Sequence, residues 1–172
     1  MSEIAMRLRP IRREDLDTLR RFATEPGLIG PDWNGFRDAG AVERRFDADG
    51  WLGPDDGRLV VDADGEQAGF VTWHAEQMTN ARYWNIGIVL LPEFRGRGIG
   101  WRAQRMLGDY LFEHTPVARI EAGTQPDNVA EQRALEKAGF QREGVLRAVE
   151  FRAGKWRDGV LYSRIREGLD HE

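Results

Sequence analysis

The chain contains no cysteine. That excludes disulfides, a cysteine nucleophile and any cysteine-based zinc site, and it suits a reducing compartment. Histidine is scarce, and His74, His114 and His171 show no metal-ligand spacing, so no resident metal is expected. No apolar run approaches the length of a membrane span. The opening Met1-Ser2-Glu3-Ile4 has neither the basic nor the apolar region of a signal peptide, and a cytoplasmic location is expected. Positive charge is not in excess: the net charge is −4, which does not favour binding to nucleic acid. Repeats and low-complexity segments are absent as well.

What remains reads as one domain, residues 1–172, long enough to bury a core without staples. Residues 4–11 alternate like an edge strand. Glu14-Asp15 open a helix that runs to about residue 24, with Leu16, Leu19 and Phe22 on one stripe. Residues 25–57 are rich in glycine and read as long loops around a short helix at 40–48. Strands 58–62 and 66–74 meet at Asp64-Gly65, a tight-hairpin signal, and 84–91 is a third, apolar strand suited to the sheet centre. A helix then runs to about His114, a strand spans 119–122 and a helix spans 128–138, capped by Gly139. Segments 145–152 and 155–166 form a last hairpin around Ala153-Gly154. This order predicts an α/β protein with a mixed sheet.

The central strand runs into Leu91-Pro92-Glu93-Phe94-Arg95-Gly96-Arg97-Gly98-Ile99-Gly100, where three alternating glycines open a helix. Such a loop brings backbone N–H groups close to one anion, and the helix start adds about half a positive charge. Arg95 and Arg97 add two full charges. A phosphate or pyrophosphate is the natural guest. The dinucleotide fingerprint fails because Trp101 stands where a third spaced glycine is needed, and no Gly-Lys-Ser/Thr triplet of a P-loop occurs.

The string does fit Arg/Gln-x-x-Gly-x-Gly/Ala at Arg95, Gly98 and Gly100. It resembles the pyrophosphate motif of the GNAT superfamily, the acyl-CoA-dependent N-acyltransferases. Asn128-Val129-Ala130-Glu131 followed by Lys137-Ala138-Gly139-Phe140 resembles the family's second signature. Residues 143–147 and 156–163 resemble the ending of its ribosomal-protein-alanine-acetyltransferase-like branch. The resemblance covers residues 4–166. It implies a GNAT fold in which the central strand splays from the next, with the pantetheine arm of acetyl-CoA in the cleft. It also implies coenzyme contacts from Val89, Leu90, Leu91, Arg95, Gly96, Arg97, Gly98, Ile99, Gly100 and Asn128. A bulge near Val89 and Leu90 would present the N–H that meets the thioester oxygen. Relatives occur as monomers and as homodimers.

The proton-handling slots of the family are altered here. The central-strand slot for a base carboxylate holds Asn85, the tyrosine slot holds Leu135, and the slot three residues after Asn128 holds Glu131. Glu131, His74 and Asn85 are the catalytic candidates, with Glu76 beside His74. Glu131 also fits a capping pair with Asn128. Trp33, in a glycine-rich loop, with Trp73 and Trp84, is a candidate acceptor wall. Neutralising a lysine-type ammonium at pH 7 costs about 4.6 kcal/mol, whereas an α-amine near pKa 8 costs about 1.4 kcal/mol. A site without a strong base suits the second kind, so the expected acceptor is a small-molecule amine, an amino sugar or a peptide N-terminus. A non-catalytic acyl-CoA-binding domain and a transferase of longer acyl groups are the alternatives.

Overall fold

The computed structural model describes residues 4–30, 33 and 35–169. Strand β1, Met6–Arg9, leads through a 3-10 turn, Arg13–Asp15, into helix α1, Leu16–Thr24. Two further helices follow, α2 at Pro26–Ile29 and α3 at Gly40–Asp49. Strands β2 (Asp56–Ala63), β3 (Glu66–Met78) and β4 (Ala81–Leu90) form an antiparallel meander. Helix α4, Ile99–His114, precedes β5 (Arg119–Thr124), α5 (Val129–Lys137) and the hairpin of β6 (Gln141–Arg152) and β7 (Lys155–Ile165).

All seven strands join one sheet in the order β1-β2-β3-β4-β5-β7-β6. The β4–β5 pair is parallel and the others are antiparallel. The expected hairpin turns are present: Asp64 and Gly65, then Ala153 and Gly154, all have positive φ. A third hairpin, not expected from the sequence, turns at Thr79 and extends β3 and β4 toward each other. The short helix α2 was not foreseen either. Its Pro26 occupies the first helical turn, where a missing N–H costs nothing.

Strand alternation sends side chains to two faces. On one face Leu59, Val61, Val71, Trp73, Trp84, Ile86, Ile120 and Ala122 pack beneath α4 and α5, which contribute Ile99, Ala103, Leu107, Leu111 and Leu135. On the other, Val60 and Phe70 receive Leu16 and Leu19 of α1 and Val42 of α3. Helix α4 has a glycine at its centre because Arg164 crosses there: a Cβ on Gly108 would lie 2.9 Å from Arg164 Nη1. Gly139, at φ +94°, ends α5 as foreseen, and Phe140 N donates to the Leu135 carbonyl.

Candidate active site

The site begins with a pairing that stops early. β4 and β5 are in register only at Trp84–Ile120, Asn85–Glu121 and Ile86–Ala122. Beyond Ile86 and Ala122 the two strands run on to Leu90 and Thr124 without pairing each other. A V-shaped cleft therefore opens inside the sheet, with backbone N–H and C=O groups on its inner edges. The central strand is splayed from the next as expected.

The cleft leads to the glycine loop. Gly96 and Gly98 both take left-handed φ, +72° and +76°, a region that costs other residues about 1–2 kcal/mol. Gly98 is the residue that caps α4, and no side chain caps that helix start. The N–H groups of its first turn thus face the loop, together with the positive end of a 16-residue helix. Gly100 differs: its φ is not left-handed, and a Cβ there would meet Leu90 Cδ1 at 3.8 Å, an ordinary contact. Leu91 and Ile99 are buried, so they face the loop only through backbone.

Two details depart from expectation. Arg95 does not point its charge into the loop. Its Nε donates to the Leu90 carbonyl at 2.9 Å and its Nη2 donates to the Leu28 carbonyl, so it ties the end of β4 to α2. Arg97 leans over the Phe94 ring at 5.5 Å. The expected bulge at Val89 and Leu90 is absent. β3–β4 pairing runs without a shift from Gly69–Leu90 to Met78–Ala81 because Gly69 lets the strands close, and a Cβ there would lie 2.1 Å from the Val89 oxygen. The register shift falls instead between Val61 and Asp62 on β2.

At the apex of the cleft a polar row crosses the sheet on the face of α1 and α3. His74 pairs with Asn85 across β3–β4, and Asn85 with Glu121 across β4–β5, so the three side chains share a face. His74 Nε2 lies 3.1 Å from Glu76 Oε1, which confirms that those two sit together. Glu121 accepts from Arg119 Nε at 2.7 Å, and Arg119 Nη1 donates to Glu143 at 2.7 Å. Ser163 Oγ also donates to Glu143. The Arg119 and Ser163 bonds hold the Glu143 carboxyl down at about 2. Tyr83 stands between the carboxylates of Glu76 and Glu121. Burial first, then those two charges, raises its hydroxyl above the ordinary phenol range.

Glu121 and Tyr83 were missed in the sequence. Each lies on an outward position of a strand, and only the cross-strand register reveals that they meet. Glu131 is placed differently. Its N–H donates to Asn128 Oδ1 at 3.2 Å, the capping arrangement foreseen. Helix α5 packs on the α4 side of the sheet, so Glu131 is not brought to His74 and Asn85. Leu135 is fully buried beneath that helix.

The tryptophans also separate. Trp73 and Trp84 are 7% and 5% exposed and belong to the core under α4, not to an acceptor wall. They occupy inward positions of β3 and β4, the opposite face from His74 and Asn85. Trp73 lies on Gly57, where a Cβ would fall 2.0 Å from its ring, and Trp84 Nε1 donates to Thr115 Oγ1 at 2.9 Å. Trp33 is half-buried in the loop after α2, with its ring 5.4 Å from that of Phe36 and nearly perpendicular to it. Among the described residues no group of carboxylates and histidines could hold a metal, and no helix is long and apolar enough to cross a membrane.

This geometry can be compared with known proteins. YjcK of Bacillus subtilis strain 168, named as a probable N-acetyltransferase, is 42% identical over 73 residues, which is 42% of this chain and 40% of YjcK. The chain thus aligns with less than half of that relative's length. The spermidine N(1)-acetyltransferase of Escherichia coli K12 is 24% identical over 160 residues, 91% of this chain and 83% of that one. Among solved structures, spermidine N-acetyltransferase from Vibrio cholerae, in complex with CoA and spermine, superposes with a TM-score of 0.80 at 20% identity, covering 93% and 95% of the two chains. The ribosomal-protein-S5-alanine acetyltransferase of Vibrio fischeri gives 0.78 at 21% identity, covering 99% and 98%. These two likenesses speak for the fold. The sequence speaks for descent: a family model described as "Acetyltransferase (GNAT) domain" matches residues 5–141. That match takes in the split between β4 and β5, the glycine loop and all of α4 and α5, and the chain belongs to the GNAT acetyltransferase family.

Proposed function

We propose that the protein transfers an acetyl group from acetyl-CoA to a primary amine by direct attack in a ternary complex. The observation that carries this reading is the three-residue pairing of β4 and β5, which leaves a cleft between the glycine loop and the polar apex. The pyrophosphate would sit on the N–H groups of Gly96–Gly100, with Arg97 beside it. The pantetheine amides would bond to the inner edges of β4 and β5. The thioester carbonyl would then lie by Val89 and Leu90, whose backbone N–H is the donor available as charge develops on oxygen. Asn128, at the start of α5, would meet the coenzyme from the β5 side.

The amine would enter on the opposite face from α4, at the row of His74, Asn85 and Glu121. There Asn85 can accept from the amine through its carbonyl oxygen but cannot take its proton. Glu121 can, and its tie to Arg119 holds the carboxylate in place. His74 with Glu76 offers a second route to solvent. This replaces Glu131 by Glu121 as the carboxylate nearest the chemistry. A neutral nitrogen attacks the thioester carbon, the C–S bond breaks, the acetyl group passes to nitrogen, and the coenzyme leaves as thiolate to be protonated. A weakly basic amine fits a site whose base is a carboxylate.

The test is coenzyme-A thiol release from acetyl-CoA against amino acids, N-terminal dipeptides, amino sugars, polyamines, aryl amines and lysine side chains. Selective release with low-pKa amines is expected. Fast acetylation of lysine side chains alone would refute the acceptor class. The buried Leu135, which can offer no proton, favours one other reading, an acyl-CoA-binding domain. Tight acetyl-CoA binding without turnover on the whole panel would establish that reading instead.

A further inference from the structure

Strand β2 carries Arg58 on the face of the polar row. It pairs with Thr72 of β3, which pairs with Gly87 of β4, so Arg58, Thr72 and Gly87 form a second row beside the first. Gly87 leaves the floor of this row open next to the cleft; a Cβ there would meet Thr72 Oγ1 at 3.1 Å. The Arg58 guanidinium carbon lies 4.4 Å from the centre of the Trp51 ring and 6.0 Å from that of Phe70. Phe70 pairs with Val89, so the guanidinium leans toward the strand end where the thioester carbonyl would lie.

Among the described residues this cation has no ion-pair partner. Its Nε is buried without a hydrogen-bond partner, and among the described residues no carboxylate is ion-paired with it. Asp56, an acid whose charge does act on it, is already bonded to Arg45 at 2.7 Å. Arg37 and Arg45 repel it, and burial together with their charges pushes its pKa down to about 10. Stacking on an aromatic ring satisfies none of the five N–H donors that a guanidinium presents. A half-buried charge with no ion-pair partner is costly, and the fork is shaped for a carboxylate or a phosphate.

We propose that Arg58 binds an acidic group of the acceptor, so that the substrate carries an amine and an anion together. This rests on the acetyl-transfer reading. The amine would lie at the apex by Glu121 and the anion over Phe70. Phe70 on β3, under the guanidinium, is two strands from Glu121 on β5, about 10 Å, which limits the acceptor to a small amino acid-like or amino phosphate molecule.

Matched pairs test this: amino acids against their carboxamides, and phosphoethanolamine against ethanolamine, each with wild type and R58M. Wild type is expected to favour the acidic member of at least one pair by about ten- to a hundredfold in kcat/KM. A preference in the first pairs identifies a carboxylate and one in the second a phosphate. In R58M that preference disappears through KM, while kcat and the KM for acetyl-CoA stay unchanged. R58M should melt no lower than wild type, since a half-buried, unpaired charge is removed and the aliphatic stem is kept. R58K, which keeps the charge but loses the fork, should restore only part of the preference. Equal rates on both members of every pair, or an R58M variant that loses stability and slows both members alike, would overturn the proposal. Absence of thiol release with every amine would instead refute acetyl transfer. The melting temperature in inorganic phosphate, compared with chloride of equal ionic strength, then decides for Arg58: stabilisation of wild type but not R58M supports it, and equal response refutes it.

Discussion

Gly98 and Gly100 stand two residues apart in the same loop, yet the structure gives them different reasons to be glycine. Gly98 is left-handed, at φ +76°, and an alanine there carries about 1–2 kcal/mol of strain. Gly100 is helical with ordinary space for a Cβ, so alanine should gain about 0.5–1 kcal/mol of helix stability. The strain at Gly98 can be met in two ways. If the loop keeps its shape, stability falls, and for a chain of this size each kcal/mol lowers Tm by about 2–4 °C. If the loop relaxes, Tm holds and coenzyme binding must restore the shape, which weakens Kd by about five- to thirtyfold. The two losses should sum to about 1–2 kcal/mol. Calorimetric melting without ligand and titration with coenzyme A measure both terms for Gly98→Ala and Gly100→Ala. The second variant should melt higher, and any loss of affinity in it would then report how closely the pyrophosphate approaches Gly100. If Gly98→Ala changes neither Tm nor Kd, or if Gly100→Ala costs stability without ligand, the reasoning fails.

Three other outcomes are expected. Glu121→Gln should lower kcat by about a hundredfold with the fold intact, since Arg119 keeps its bonds to Glu143; an unchanged kcat would remove Glu121 from the chemistry. Trp84→Phe should cost about 1–3 kcal/mol through the lost bond to Thr115 and lost packing, with acceptor KM unchanged, and a raised KM at unchanged Tm would return Trp84 to the acceptor wall. Glu143 has its pKa held down, so the stability it contributes is present above about 4.5 and is lost as pH falls toward about 2. Its side chain is 38% exposed, which reduces that contribution to about 1 kcal/mol, and urea melts should show the gap between wild type and Glu143→Gln closing by that amount from pH 7 to pH 2.5.

The sequence made some of this legible and hid the rest for a common reason. The Asp64-Gly65 turn, the apolar β4, the glycine loop and the stripe of α4 are written in local spacing, and they fall where expected. Glu121 and Arg58 are each one charged residue among others on their strands, Glu121 beside Arg119 and Arg58 between Asp56 and Asp62. Their meaning comes from which residue stands opposite on the next strand, and no local pattern carries that. The tryptophans misled because an aromatic next to an inward or an outward position looks the same until the register is known. Arg95 misled in another way: a cation in a glycine loop suggests a phosphate, but carbonyls from two elements were within its reach.

The brief contact between β4 and β5 divides the sheet mechanically. β1 to β4 make one antiparallel plate and β5 to β7 another, and only three residue pairs sew them together. Helix α4 spans the chain between the plates and packs in the same core as the inward residues of both. It therefore acts as a beam across a seam, and on the proposed reading its first turn would anchor the coenzyme. A ligand that grips that end and lies along both inner edges adds the missing stitches. Amides of β4, β5 and the start of α4 should then gain hydrogen-exchange protection together on coenzyme binding, while the outer strand β6, at the far edge of the sheet, should not.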